Sequence, residues 1–519
     1  MVVLRLRKFS TNDNDEPDYS RFTSEDIVVS KLDPPTPAVR RVIGIISLAV
    51  AAAVAIGLAT TFPNTPPPPI ATPIILPAGF PIDYWDWGVN RTLSTAERQA
   101  LDRLGGQDVF SLCGLIRPQN GEWTWEPQGR ASMVIPGRRQ HLVVRIDAGI
   151  ARQMGPAAAG KLIPLIVAGC ARNSTAATVG VQLDADVPTK RLAAYADLLQ
   201  QLRAVLPAGT HLSVTMLLDW ARSPDLATVM RAVDVVVPQF YNTYLPIDFS
   251  GRTPLVGAND LDRVIPKLEA IGRPYRIGLP TYEQCSQYDA AGEIKRAAIA
   301  LSPEQALTAG GVAERFRRGD ENLLSVRFAQ ATKISAQSLD TGHVLMFASS
   351  TPNGLARRLA DIRRLRPRHC AGIVLFRLPG RESTHTLTIS QVEAAANNRV
   401  RPALVVARLE PLGNQHHALI VSNQGDEDFL DFSNPARVVI QAAGAELRAT
   451  QLPGDGFAIA RELPTVDGKN DGLELCLGLL RAGEVLTIED LQITTKDGSA
   501  PRIQGVVQQN GRSERLIIP

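Results

Sequence analysis

From residue 82 onward, short apolar runs alternate with stretches whose apolar positions recur at helical spacing. The runs cover 82–87, 108–115, 141–147, 178–184, 211–217, 234–240, 275–279 and 372–377. The helical stretches cover 94–104, 157–170, 189–205, 224–232, 260–271 and 292–300. Eight strands with intervening helices predict a parallel sheet, and the count favours a closed (β/α)8 barrel of the TIM type over an open doubly wound sheet. Residues 280–371, between the seventh and eighth strands, are too many for a simple loop. They hold further strand-like runs at 323–329 and 343–348, and the latter is an alternative barrel strand.

From residue 401 the texture changes. Runs at 403–409, 417–422, 437–441, 447–451, 456–461, 473–480 and 485–488 are short, turn-bounded and roughly alternating, which predicts a β-sandwich over 401–519 after a barrel over 82–400.

The chain before residue 82 reads differently. Residues 1–41 are polar, mixed in charge and poor in aromatics, the composition of a disordered tail. Residues 42–62 carry no charge over 21 positions, enough for a helix to cross a hydrocarbon core of about 30 Å. Lys31, Arg40 and Arg41 precede this run, and the next basic residue is Arg91, so the N-terminus is expected in the cytoplasm and the rest outside it. A cleaved signal peptide is the alternative, but residues 1–41 are long for its leader. A proline-rich linker over 63–81, with eight prolines, would act as an extended spacer of up to about 60 Å. The expectation is a single-pass protein of the inner membrane whose folded part lies in the periplasm or extracellular space.

Length and composition narrow the function. The 519 residues imply two or three domains, and 45% hydrophobic residues is ordinary for globular protein. A net charge of +3, with no long basic patch, gives no reason to expect nucleic acid. The five cysteines lack CxxC spacing and read as buried small hydrophobes rather than a disulfide framework. Residues 155–162 imitate a phosphate-binding loop but end in Leu162, where a magnesium ligand would be needed, so no nucleotide is expected. The seven histidines contain no HExxH motif, and no metal or other cofactor is expected.

The sharpest chemical signal is Val181-Gln182-Leu183-Asp184-Ala185-Asp186. Residues two apart in a strand share a face, so Asp184 and Asp186 should point together at the strand's carboxyl end, where barrels place catalytic groups. The segment resembles the fourth strand of the family 18 chitinases, which ends in Asp-Gly-x-Asp-x-Asp-x-Glu. Gly180 matches the glycine, Asp184 the last aspartate and Asp186 the glutamate, while Val179 and Gln182 replace two acids. The family's sixth strand ends in Met-x-Tyr-Asp, and here the sixth ends in Gln239-Phe240-Tyr241-Asn242, with Tyr241 matched and Asn242 in place of the acid. The chain also resembles an uncharacterised bacterial family known as a domain of unknown function, through these acids and the Phe376-Arg377-Leu378-Pro379 end of the last strand.

The first resemblance implies substrate-assisted hydrolysis of an N-acetylated sugar. Asp186 would be the general acid, Asp184 would tune it and orient the acetamide, and Tyr241 would hydrogen-bond the acetamide oxygen. The rival reading is a non-catalytic glycan-binding or scaffolding module on a degenerate barrel, in keeping with Gln182 and Asn242, which retain hydrogen bonding without charge. All five tryptophans follow or end barrel strands, and an indole face suits a pyranose. Trp85, Asp86, Trp87, Gln182, Gln239, Asn242, Glu283 and Arg377 are therefore the expected glycan contacts, with Glu283 the reserve acid/base. Asp83, Arg145, Asp147 and Glu382 also stand at strand ends, where salt bridges are the commoner fate.

Overall fold

The computed structural model describes residues 80–87, 92–128, 135–241, 255–257, 259–317, 321–380, 385–449, 454–455, 458–464, 470–495, 499 and 501–518. The expected tail, transmembrane helix and most of the linker lie outside the described residues, as do Asn242 and Glu382. Among the described residues, no helix is long and apolar enough to cross a membrane.

Chain order gives β1 (Ile82–Asp86), β2 (Gly105–Gln119), β3 (Glu122–Pro127), β4 (Arg139–Ile146), β5 (Thr178–Ala185), β6 (His211–Met216), β7 (Val235–Pro238) and β8 (Tyr275–Pro280). An insertion follows, with β9 (Glu283–Tyr288), β10 (Ile294–Ile299), β11 (Val312–Arg317), β12 (Glu321–Arg327), β13 (Thr332–Ile334), β14 (Gln337–Leu339) and β15 (Val344–Ser350), before β16 (Cys370–Phe376). Strands β1, β2, β4, β5, β6, β7, β8 and β16 pair in that order, and parallel pairing of β1 with both β2 and β16 closes an eight-stranded barrel. All eight fall on the expected runs. They read as apolar stretches because barrel strands are buried on both faces.

Alternation along each strand separates two cores. Tyr84, Leu142, Val144, Val181, Leu183, Leu212, Val214, Ile277 and Ile373 join the large cluster that includes the surrounding helices. Trp85, Phe110, Leu112, Val143, Val237 and Val374 form a second cluster inside the barrel. The lumen is thus a packed core rather than a pore. Gly278 makes room for its largest member, since a Cβ there would stand 2.9 Å from the Trp85 ring.

Two expectations fail in the insertion. Residues 343–348 belong to β15, which joins an antiparallel sheet in the order β10-β9-β15-β12-β11 rather than the barrel. Residues 292–300 are composed of helix formers, yet β10 is a strand. Asp289 Oδ1 accepts from the amides of Ala291 and Glu293, and Gly292 adopts φ +85°, a turn that folds β10 back on β9. Local turn chemistry and pairing override propensity here.

After residue 401 the chain forms separate antiparallel sheets, a four-stranded and a six-stranded one being the largest. Their inward residues, among them Leu419, Val421, Val438, Ile440, Leu475 and Ile493, make one buried cluster. Two further strands, Arg502–Gln509 and Arg512–Arg515, complete the larger sheet beyond the expected runs. The five cysteines are all free thiols.

Candidate functional site

Strand β5 delivers Gln182 and Asp184 into the lumen, with Asp186 following just past its end, while Val181, Leu183 and Ala185 face the outer core. They stand at successive heights and meet different partners. Gln182 is fully buried, its Oε1 accepting from Trp85 Nε1 at 2.6 Å and its Nε2 donating to Ser213 Oγ at 3.2 Å. Trp85 is 1% exposed. These two expected glycan contacts therefore partner each other in the barrel core, because each has a polar edge that burial leaves no water to satisfy.

One turn of the alternation higher, Asp184 is also buried. Its Oδ1 accepts from Thr215 Oγ1 at 2.7 Å, and its Oδ2 accepts from Arg145 Nη1 at 2.5 Å. The barrel register sets Arg145 of β4 directly beside Asp184 of β5. Its other terminal nitrogen, Nη2, donates to Asp186 Oδ2 at 3.0 Å, so a single guanidinium holds both carboxylates. Asp186, just past the strand, keeps a third of its side chain exposed. Its backbone is fixed from both sides, as the Val187 amide donates to the Ala185 carbonyl and Trp220 Nε1 donates to the Val187 carbonyl at 2.8 Å.

Aromatic groups frame the acids. Trp87 is half-buried with the Arg145 guanidinium carbon 5.7 Å from its ring centre, and its Nε1 is buried without a partner among the described residues. Tyr241 stacks on Phe376 with ring centres 5.7 Å apart and meets Trp85 and Tyr282 edge-on. Burial raises the Asp186 carboxyl above its usual range; Arg145 opposes the shift and the Asp184 charge adds to it. Burial likewise pushes the Tyr241 phenol well up. The charge of Asp184, then that of Asp186, keeps Arg145 firmly protonated.

The remaining expected site residues scatter. Asp86 is buried on the face of β1 opposite Trp85 and Trp87. Gln239 lies half-buried at the end of β7, and Arg377 half-buried just past β16, where its carbonyl accepts from Thr281 Oγ1 at 3.0 Å. Glu283 is not at the barrel mouth. It is buried at the start of β9 and accepts from Ser349 Oγ at 2.5 Å and Arg481 Nη2 at 3.1 Å. Asp83 sits at the opposite end of the lumen, bonded to Arg276, which also donates to Asp108 at 2.6 Å. Asp147 caps the short helix Ala148–Ala151. Trp220 is core, and Trp125 lies against Gly114 and Gly169 between β2 and the helix Pro156–Asn173. Sequence reasoning left Thr215 out; alternation from His211 places it in the lumen, but only the fold sets it against Asp184.

The geometry is that of a closed (β/α)8 barrel with two adjacent carboxylates at the carboxyl end of one strand. Residues 136–381 match the family model described as a domain of unknown function (DUF3142). No curated protein sequence matches the chain. Among solved structures, it is similar to the spore cortex-lytic enzyme SleL of Bacillus megaterium, at 13% identity and a TM-score of 0.42 over 72% of this chain and 86% of that one. SleL of Bacillus cereus gives 13% identity and 0.41 over 62% and 74%. A chitinase from Chromobacterium violaceum gives 14% and 0.40 over 62% and 99%.

Proposed function

We propose that the barrel is a glycoside hydrolase acting on an N-acetylated envelope or surface polysaccharide, with Asp186 as the proton donor. The observation that carries this reading is the contrast between two carboxylates on one strand face. Asp184 is buried and held by two donors, whereas Asp186 is partly open to the mouth and raised by burial, as a general acid requires. In the step this arrangement would perform, the Asp186 proton passes to the glycosidic oxygen, which leaves with the electron pair of its bond to the anomeric carbon. The substrate's acetamido oxygen bonds to that carbon, and water later opens the resulting ring, returning the proton to Asp186. Asp184 retains lone-pair capacity for the acetamide N–H despite its two present donors. Tyr241, a neutral phenol beside the acids, would donate to the acetamide oxygen, and the half-buried Trp87 ring suits the apolar face of a sugar.

One observation favours the second reading, a non-catalytic glycan-binding or scaffolding protein: Arg145 bonds both carboxylates. In either case we infer a single-pass anchor over residues 42–62 and folded regions outside the cytoplasm, with a barrel at 82–400 and a second domain at 401–519. The test compares the full-length protein with its Asp186→Asn variant on chitin oligomers and peptidoglycan strands, followed by mass spectrometry of products and by ligand retention. Cleavage abolished in the variant with retention preserved is the expected result. Equal cleavage by both would remove Asp186 from the chemistry, and retention without cleavage by either would favour the scaffold.

A further inference from the structure

The two readings differ in whether Asp186 carries a proton, and the group in contact with it that controls this is Arg145. A guanidinium has only N–H donors and no acceptor, and it does not titrate in proteins. While Nη2 donates to Asp186 Oδ2, that oxygen must act as an acceptor. A proton placed there would set two hydrogens face to face. The bond bars a proton from Oδ2, and the adjacent guanidinium charge opposes one on Oδ1, so Asp186 becomes the better proton donor once it parts from Arg145.

The two halves of the bridge are unequal. Asp184 is buried, and Arg145 is the cation in contact with it, at 2.5 Å, so breaking that pair would leave an uncompensated charge in the core. Asp186 and Arg145 each keep about a third of their side chains exposed, and their contact is longer, at 3.0 Å. The bridge should open at Asp186 and hold at Asp184. The Arg145 guanidinium carbon lies 5.7 Å from the Trp87 ring centre, so a sugar stacking on that face of the indole would meet it.

We propose that Arg145 is a positioning residue that keeps Asp186 an ionised acceptor in the empty barrel and yields it as a proton donor when a glycan enters beside Trp87. This rests on the hydrolase reading for its consequence, but not for its own test. The other groups whose charge or potential charge acts with Asp186 are Asp184 on its own strand, Tyr241 beyond β7 and Tyr195 on the helix Leu192–Val205. Both phenols are pushed up by burial and stay neutral across the acid range, so Arg145 and Asp184 set the balance.

The experiment follows the Asp186 carboxyl by carbon-13 NMR in full-length protein labelled at aspartate Cγ, the signal identified by its loss in Asp186→Asn. Arg145→Gln should raise its midpoint by about one pH unit or more, and Arg145→Lys should restore most of the difference. Because Arg145→Gln strands the buried Asp184 charge, the same comparison is made between Asp184→Asn and Asp184→Asn/Arg145→Gln, where charge and partner go together. An unmoved midpoint in both comparisons overturns the proposal, whatever the activity. Cleavage of chitin oligomers is read in parallel on Arg145→Gln. If the hydrolase reading holds, the alkaline limb of its pH profile moves up with the midpoint. A moved midpoint without cleavage by any form leaves the role of Arg145 standing and overturns the hydrolase reading.

Discussion

Gln182 shows how closely the barrel core reads the identity of a single polar residue. It accepts from Trp85 and donates to Ser213 in a space with no exposure, so each of its two polar ends has one protein partner. Replacing it by leucine keeps the volume but leaves the indole N–H unpaired, at a cost of about 1–3 kcal/mol. Denaturant unfolding of Gln182→Leu should show that loss, and Trp85→Phe added to it should recover part, since the orphaned donor is then gone. A double variant no more stable than the single one would mean that the pair is not coupled. Alternation by two made it legible that Gln182, Asp184 and Asp186 share the lumen. Their partners were not legible: Arg145 lies 39 positions before Asp184 and Thr215 lies 31 after it, and only closure of the barrel brings them to one height. Glu283 failed as a mouth residue for the same reason, as its partner Arg481 is 198 positions away.

At the scale of elements, the barrel strands were legible because burial on two faces leaves an unbroken apolar run, a signal that survives without knowing any neighbour. Where a strand has an exposed face, composition misled. Strand β10 is largely exposed and rich in Lys, Arg and Ala, so its helix-like text is overruled by the Asp289 turn and by pairing with β9. The hairpin of β2 and β3 rests on another contact that no local pattern announces. Trp125 fills the space above Gly114 of β2 and Gly169 of the helix Pro156–Asn173, so a methyl group at either glycine would strike the indole. Gly169→Ala is helix-favourable by propensity, by about 1 kcal/mol, yet should destabilise overall by about 1–3 kcal/mol, because the indole must be displaced. Its signature is a red shift of tryptophan emission as Trp125 leaves its site. A stabilised variant with unchanged emission would show that the ring yields without cost.

Across the whole molecule, the barrel's insertion is joined to the C-terminal sheets by one cation. Arg481 donates to Glu283 of β9 at 3.1 Å, to Glu304 of the helix Pro303–Thr308 at 2.6 Å and to Asp428 at 3.0 Å, and His385 lies 3.4 Å from Asp428. Three carboxylates around one guanidinium leave excess negative charge, which is tolerated because further donors reach the acids, Ser349 on Glu283 and the Ala482 amide on Asp428. Burial works to raise the Asp428 carboxyl, but His385 and then Arg481 outweigh it and hold it below its usual range; at Glu304 burial is similarly outweighed, chiefly by Arg481. A depressed carboxylate contributes stability that is fully present above its unfolded value and lost as pH falls through its folded value. The junction should therefore be at full strength above about pH 4.5 and weaken below about pH 4. Arg481→Met leaves the acids facing one another without their shared guanidinium, at a cost of about 3–5 kcal/mol. It also removes a charge that lowers the Asp428 and Glu304 carboxyls, so acidification should cost the variant less stability than it costs the wild type. Scanning calorimetry of both proteins from pH 3 to 8 tests this at the scale where it acts. The variant should melt earlier, with the gap narrowing in acid as protonation removes the repulsion that Arg481 offsets. A gap independent of pH would assign Arg481 to packing alone.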